Sequence, residues 1–307
     1  MAKPLPFKTV YERRVSRFLG HMALASRSGS TSAIHDMRTD LKQLRAFFDL
    51  VGSIDTSFRA ERAFAPAQKL FKAAGRLRNL HVLEARSREE SAAASLELSE
   101  YYNWLKELEN REVRRFHRVC RRFHEGFFGS AWKDMCSRLE GHAGTRARKT
   151  AEIRLLDLIK EIQAERSLRR SVRQLHFLRA RTKEARYTLE ILQECGLISD
   201  QGARLNERLR DVHQSLGRWH DDKIVQDSLC EFRKDRTPGP LISYASYIKF
   251  SRRTKERQTE GLAAFEAAWA ALHAFLNKGG ARAVLSPSSP RIKPRGSQPK
   301  PGSGQDP

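Results

Sequence analysis

The sequence predicts an all-α protein made of two four-helix units related by a pseudo-twofold axis around a central cavity. Apolar residues recur with a helical period throughout the chain, whereas few segments alternate with a period of two. A basic motif occurs twice, roughly 140 residues apart, which indicates an internal duplication. The final stretch is rich in Pro, Ser and Gly, and we expect it to be disordered.

The duplicated motif is a row of basic side chains with the pattern His-x2-Arg-x3-Lys-x2-Arg. An α-helix turns by ~100° and rises ~1.5 Å per residue, so each row covers an arc of roughly 80° and a length of about 15 Å. The first basic row is His35, Arg38, Lys42 and Arg45, and the second basic row is His176, Arg179, Lys183 and Arg186.

An apolar stripe runs beside each basic row, shifted by one residue. The basic groups therefore lie at the margin of the buried face, where a groove between packed helices would form. Like charges three or four residues apart destabilise a helix by a few tenths of a kcal/mol per pair, so an anionic partner explains the rows better than folding does. The alternative is a solvated basic face that begins with a packed histidine; two copies with identical spacing favour a shared binding role. The stripes are Ile34, Met37, Leu41, Leu44 and Phe48, and Leu175, Leu178, Thr182, Ala185 and Leu189.

The overall charge also indicates a polyanionic partner. The 307 residues include 58 Lys and Arg against 36 Asp and Glu, a formal net charge of +22. Such an excess suits nucleic acid, an anionic membrane or a chain of phosphates. There is no run of 18 apolar residues, so no membrane span is expected. The four cysteines are scattered without a Cys-x2-Cys pair, as in a cytosolic protein with reduced thiols.

The predicted N-terminal helical half covers residues 7–130. The first helix carries basic residues at Arg13, Arg17 and His21, and Ser-Gly-Ser-Thr-Ser (28–32) breaks it and supplies an N-cap for the next helix. Glycines at 126 and 129 mark the end of the half. The helices are expected at about 7–27, 32–51, 56–88 and 91–127.

The predicted C-terminal half covers residues 131–278, and a disordered basic tail covers 279–307. One or two helices are expected in 131–167, with a break at Gly141–Gly144, and Pro238-Gly-Pro240 is a clear break further on. The remaining helices are expected at about 171–194, 200–235 and 241–277.

The duplication extends beyond the basic rows. Gly75 lies 40 residues after His35, and Gly217 lies 41 residues after His176. Because this spacing is kept within one residue, the repeated unit is a set of several helices. The matching segments are Ala74-Gly75-Arg76-Leu77-Arg78-Asn79 and Leu216-Gly217-Arg218-Trp219-His220-Asp221.

The two rows and the Gly-Arg-x-x-Asn/Asp elements resemble the CHAD family, the conserved histidine α-helical domain, over about residues 7–277. Tyr187 after Arg186 also looks like part of the second family motif. The resemblance implies two pseudo-symmetric four-helix bundles around a basic pore or groove. It also implies binding of inorganic polyphosphate by the two basic rows and, in bacteria, association with polyphosphate granules.

The sequence departs from the family pattern at four positions. Gln43 and Glu184 stand where the family commonly has a second basic residue after the lysine, Asn79 replaces a usual acid, and His81 is also atypical. The first two changes lower the local positive charge.

Further candidate contacts lie on helices expected to pack beside the rows. These second-rank polyphosphate contacts are Lys72, Arg76, Arg114, Arg118, Arg210 and Arg218. The histidines that begin the rows, His35 and His176, have two interpretations. They are hydrogen-bond donors to phosphate, or they have a capping or packing role at the helix start.

Three other functions share part of this pattern. A nucleic-acid-binding protein would have the same charge, but the rows lack interleaved aromatic residues for base stacking. A metal-dependent phosphohydrolase is suggested by His35-Asp36 and His220-Asp221, but there is no His-x3-His pair and no Gly-x4-Gly-Lys loop. The third is an adaptor for acidic proteins. We expect a non-catalytic cytoplasmic protein without cofactor or metal, with nucleic acid as a secondary polyanionic partner.

Overall fold

The chain is all-α, as predicted. A computed structural model describes residues 7–139, 144–165, 171–235, 244–281 and 284–285, and these residues contain nine α-helices and no strand. None of the described helices is both long enough and apolar enough to cross a membrane. The helices are α1 (Phe7–Ser28), α2 (Thr31–Ile54), α3 (Ala60–Ala94), α4 (Ser99–Arg121), α5 (Gly126–Leu139), α6 (Gly144–Ala164), α7 (Val172–Glu194), α8 (Asp200–Asp235) and α9 (Tyr244–Phe275), and a π turn (Leu276–Gly280) follows α9.

Both helices that carry a basic row begin at a serine N-cap. The Ser30 hydroxyl accepts a hydrogen bond from the backbone N–H of Ala33 at 3.3 Å. Ser171 and Gln174 form a reciprocal capping box, with bonds of 3.3 and 2.8 Å. The N-cap predicted between residues 28 and 32 is therefore confirmed, and an N-cap residue of this type stabilises a helix by ~1 kcal/mol.

Several helix boundaries differ from the predicted ones. α3 continues to Ala94, and Ser95 ends it with a left-handed backbone (φ 48°). α5 runs through the predicted boundary at residue 130, because its glycines lie in the first turns and Phe128 anchors it in the core. The breaks predicted at Gly141–Gly144 and Pro238–Pro240 lie outside the described residues, apart from Gly144, which begins α6.

The helices pack in the same order in the two predicted halves. α1, α2, α3 and α4 pack each on the next, as do α6, α7, α8 and α9. Between the halves, α2 packs on α6 and α7, and α3 packs on α8. One continuous cluster of buried apolar side chains includes α2 and α7, and a second joins α3 and α4 to α8 and α9. The two helices with the basic rows thus meet at the centre; the pseudo-twofold relation itself stays a prediction.

The start of the predicted disordered tail is packed in the core. Val284 and Leu285 are buried, and the Val284 carbonyl accepts a hydrogen bond from the backbone N–H of Ser199 at 2.9 Å. A side chain at Gly202 would lie 2.5 Å from that carbonyl, so the close approach requires glycine there. The boundary predicted at Gly279 is therefore wrong, because an apolar pair further along the chain has a place to be buried. Residues 286–307 lie outside the described part.

A buried arginine ties α1 to both central helices. Arg14 is fully buried, and its guanidinium pairs with the Glu194 carboxylate of α7 at 2.6 Å and donates to the Gln43 carbonyl of α2 at 3.2 Å. Arg13 pairs with the same carboxylate at 2.6 Å. α1 therefore holds α2 and α7 side by side.

Arg17 and His21 of α1 are also paired. The Asp40 carboxylate of α2 is buried and contacts Arg17 and His21, each at 2.6 Å. Arg13, Arg17 and His21, the basic residues noted on the first helix, are thus paired with acids of neighbouring helices. These pairs hold α1 in place.

We predict that Glu194→Gln lowers the free energy of unfolding by about 3 kcal/mol, because it leaves the buried Arg14 without its charged partner. Urea denaturation measures this change. Glu12→Gln is the control, since Glu12 makes an exposed pair with Lys8 at 4.0 Å on the same helix and should change stability by less than ~0.5 kcal/mol. Equal effects of the two variants would contradict a structural role for Arg14.

Candidate anion-binding site

The two basic rows act on each other across the contact between α2 and α7. Burial, together with the charges of Arg38 and Lys183, lowers the pKa of Lys42 from 10.5 to about 7. Burial and the charges of Arg179 and Arg45 likewise lower the pKa of Lys183. Each lysine therefore experiences cations of the opposite row. The structure brings the two rows together, whereas the predicted pore around them stays a prediction.

The inner cations of the rows have no carboxylate partner among the described residues. Arg45 pairs with Asp49 at 3.9 Å, and Arg186 pairs with Glu190 at 3.5 Å. In the described part of the chain, no ion pair is formed by Arg38, Lys42, Arg179 or Lys183. Few negative charges of the protein therefore offset the mutual repulsion of these four side chains.

Gly75 explains how Arg38 fits against α3. The Arg38 Nη1 donates a hydrogen bond to the Phe71 carbonyl at 2.8 Å, and the guanidinium lies 4.6 Å from the centre of the Phe71 ring. A Cβ at position 75 would lie 2.6 Å from that nitrogen. At Gly217, the matching position of the second repeat, a Cβ would meet nothing within 4 Å. Gly75 thus leaves room for the Arg38 side chain, whereas packing does not require a glycine at position 217.

The arginine of α3 that faces the rows is Arg78, not the proposed Arg76. Arg76 pairs with Glu112 of α4 at 2.7 Å. The charge of Arg78 instead lowers the pKa values of His35 and Arg38, in each case after the larger effect of burial. Arg78 lies three residues after Gly75 and hence on the same helix face, which is a signal that sequence reasoning missed.

α8 contributes three polar side chains that the sequence analysis did not place at the site. Burial and the charges of Arg186 and Arg179 lower the pKa of His213 to about 3, and burial with Arg179 and His176 lowers that of His220 to about 4. Both imidazoles are therefore neutral at neutral pH. Burial raises the pKa of Asp221, and Arg179 opposes this effect most strongly. Positions 213, 217 and 221 are four residues apart, so the spacing to Gly217 was the available signal.

The two histidines of the rows have different surroundings. The His176 ring lies 5.4 Å from Trp219 and 5.2 Å from His220, measured between ring centroids, although both His176 and His35 are exposed. Because serines cap both helices, the capping interpretation is wrong for both histidines. The His176 ring contacts those of Trp219 and His220, and a role in binding phosphate stays a prediction for both histidines.

Comparison with known proteins identifies the family. The CHAD domain family matches residues 9–230, which is most of the chain. The chain belongs to the CHAD domain family. Among solved structures, it is similar to the CHAD domain from the plant Ricinus communis, with a TM-score of 0.65, 17% identity, and coverage of 89% of this chain and 93% of that one.

A second solved structure supports the same fold. PptA from Streptomyces chartreusis is similar with a TM-score of 0.59 and 16% identity, and the match covers 87% of this chain and 99% of that one. No curated protein matches the sequence. The family match ends at residue 230, but α9 continues the same helix packing beyond it.

The second-rank candidates of this CHAD protein lie outside the contact between the rows. Arg114 and Arg118 are exposed on α4, which packs on α3 and α1. The arginines of α4, at positions 111, 114, 118 and 121, have the same spacing as the side chains of a basic row, yet they are exposed to solvent. Lys72, Arg210 and Arg218 are also exposed. None of these five, nor Arg76, is among the charges that act most strongly on Arg38, Lys42, Arg179 or Lys183.

Two of the departures from the CHAD pattern, Gln43 and Glu184, have structural partners. The Gln43 amide donates to Glu190 of α7 at 3.4 Å, and Arg17 of α1 donates to its side-chain oxygen. Glu184 pairs with Arg154 of α6 and lies 3.0 Å from Arg181. Both residues therefore connect neighbouring helices at the side of the basic rows.

The acids and histidines proposed for a hydrolase do not form a metal site in the described residues. No three His, Cys, Asp or Glu side chains lie close enough together to share an ion there. Asp221 is instead surrounded by the charges of Arg179, Arg86 and Arg78.

We predict opposite outcomes for alanine at the two duplicated glycines. Gly217→Ala should raise the free energy of unfolding by up to ~1 kcal/mol, because alanine favours a helix and meets no neighbour. Gly75→Ala should lower it by about 1 kcal/mol, because loss of the charged hydrogen bond of Arg38 outweighs the helix preference. Chemical denaturation measures both, and a gain at position 75 equal to that at 217 would contradict the packing argument.

Proposed function

We propose that this CHAD protein binds inorganic polyphosphate without hydrolysing it, and that the two basic rows form the contact surface. The observation that carries the proposal is the meeting of two rows of partly buried cations at the contact of α2 and α7, where the inner four form no ion pair with any described carboxylate. The similarity to the CHAD family supports the same ligand. Association with polyphosphate granules is the cellular role that this binding would serve.

Polyphosphate suits the arrangement of these side chains. It carries roughly one negative charge per phosphate and offers no bases, so recognition requires many cationic donors along a track. Arginine forms bidentate hydrogen bonds with phosphate oxygens, and lysine adds a mobile charge. A row about 15 Å long spans several successive phosphates. Because binding releases counterions, affinity should fall steeply as the salt concentration rises.

The aromatic rings near the rows favour polyphosphate over single-stranded nucleic acid. Bases bind such proteins by stacking on exposed aromatic faces. Here arginine side chains already lie near these rings, with Arg38 at 4.6 Å from Phe71, Arg45 at 5.7 Å from Phe64 and Arg186 at 4.9 Å from Tyr187. The rings of Phe64 and Tyr187 are also buried.

We predict that reversing the four inner cations, Arg38, Lys42, Arg179 and Lys183, to Glu abolishes polyphosphate binding and leaves helical circular dichroism intact. The matched control reverses Arg111, Arg115, Arg121 and Arg122, which are exposed at α4 and change the net charge equally. Fluorescence anisotropy with labelled long-chain polyphosphate measures the affinity. Equal losses in the two variants would show that total charge, and not the rows, controls binding.

The same assay distinguishes polyphosphate from nucleic acid. Labelled DNA bound to the protein should be displaced by long-chain polyphosphate at a much lower phosphate concentration than by unlabelled DNA. Displacement at equal phosphate concentrations, or a stronger effect of DNA, would assign the surface to nucleic acid.

Binding should take up a proton at Lys42. The pKa of this lysine is about 7 in the free protein, and a nearby polyanion raises it. The bound form therefore holds more protons than the free form above pH ~7, so the affinity should fall as the pH rises from about 7 to 9. Calorimetry in buffers of different ionisation enthalpy measures the uptake. Lys42→Arg keeps the charge at all these pH values and should remove this part of the pH dependence; an unchanged profile would contradict the assignment to Lys42.

We predict that the purified protein releases no phosphate from polyphosphate in the presence of Mg²⁺ or Mn²⁺. A malachite green assay for free phosphate over several hours measures this outcome. Turnover that is lost in Asp36→Asn or Asp221→Asn would instead establish a phosphohydrolase.

A further inference from the structure

The first arginines of the two basic rows occupy matching positions of the duplication but have different surroundings. Arg38 is fixed on α3: its Nη1 donates to the Phe71 carbonyl at 2.8 Å, and its guanidinium lies on the Phe71 ring. A Cβ at position 75 would reach within 2.6 Å of the same nitrogen, so the α3 surface is shaped to hold this group. Part of the hydrogen-bonding capacity of Arg38 is thus used inside the protein.

Arg179 has no comparable partner. Its Nε–H group is buried and, in the described part of the chain, donates no hydrogen bond to the protein. Gly217 of α8 matches Gly75, but a Cβ added there would have no neighbouring atom within 4 Å. Position 213, four residues earlier, matches Phe71 but is a histidine, so the second repeat lacks the aromatic ring on which Arg38 rests.

The charges around Arg179 also leave it available to an anion. The opposite charge that acts on it most strongly is Asp221, but the two side chains do not form an ion pair among the described residues. His213 lies on the same face of α8 as Asp221. Burial and the charges of Arg186, Arg179 and Lys42 lower the pKa of His213, so its imidazole is neutral at neutral pH. A desolvated guanidinium with an unpaired N–H next to a neutral imidazole is suited to a phosphate group.

We propose that the two basic rows have unequal roles: Arg179 makes the principal phosphate contact, whereas Arg38 is mainly a positioning residue that fixes α2 on α3. This inference rests on the proposed function. The phosphate bound at Arg179 lies beside His213, and Lys42 of the opposite row supplies a second charge. The chain of phosphates is therefore held most tightly by α7 and α8, and the first basic row extends the track.

The test compares single substitutions at the two matching positions. Arg179→Gln should weaken binding of long-chain polyphosphate by about tenfold or more, because a buried charged hydrogen bond to phosphate is lost. It should not lower the melting temperature of the free protein, because it removes a desolvated charge. Arg38→Gln should lower the melting temperature and weaken binding by no more than roughly threefold, which is the loss expected from one fewer charge in the track.

Two further variants make the comparison specific. Arg252→Gln removes an exposed charge of α9 and measures the effect of net charge alone. Arg179→Lys keeps the charge without the fork of donors, so it should recover part but not all of the affinity. Circular dichroism confirms that each variant is folded.

The possible outcomes separate the two proposals. If the wild-type protein does not bind polyphosphate, the proposed function is wrong. If it binds and the two Gln variants lose affinity equally without a difference in melting temperature, the function stands and the unequal roles are wrong. A larger loss of affinity in Arg38→Gln than in Arg179→Gln would also overturn the inference.

Discussion

The structure depends on packing two helices of like charge against each other. The pKa of Lys42 falls from 10.5 to about 7 at this contact, and a shift of that size corresponds to on the order of 5 kcal/mol. The apolar stripe beside the first basic row opposes this cost, since Ile34, Met37, Leu41 and Leu44 are completely buried. At ~1.5–3 kcal/mol for each buried side chain, burial of the stripe contributes more than this cost, whose largest cause is burial of the lysine itself. The register between stripe and row, one residue apart, therefore lets the helices pack while the cations remain at the edge of the interface.

Ion pairs at the side of this contact add to its stability. Arg14 joins α1 to α7 through Glu194 and to α2 through the Gln43 carbonyl, and Gln43 in turn reaches Glu190. These contacts give Glu190 and Glu194 of α7 a structural role in connecting the helices. The fold thus separates two populations of arginine. Arg13, Arg14 and Arg17 of α1 are paired with acids of neighbouring helices, whereas those of the basic rows keep an excess of positive charge.

Sequence patterns were enough to predict the helices and the two rows, because both depend on periodicity within one segment. Ser30 and Ser171 cap the helices for the same local reason. The patterns could not distinguish Arg78 from Arg76, since the choice depends on which face of α3 meets α2. Nor could they show that the arginines of α4 face solvent, because their spacing is the same as that of the rows. The burial of Val284 and Leu285 was equally hidden, since the surface that receives them begins some 80 residues earlier in the chain, next to Ser199.

The duplication shows that identical spacing does not require identical use. Each repeat packs against different neighbouring side chains. Phe71 in the first repeat corresponds to His213 in the second. The aromatic ring holds Arg38 by a cation–π contact, which fixes a guanidinium without neutralising it. Burial and the neighbouring cations keep the His213 imidazole neutral at neutral pH, so it provides a polar neighbour without compensating the charge of Arg179. A phosphate at this place would gain the attraction of the cations and also remove the repulsion between them. The free energy that the fold spends on burying like charges is thereby recovered on binding, and this favours a ligand that supplies many negative charges in a row.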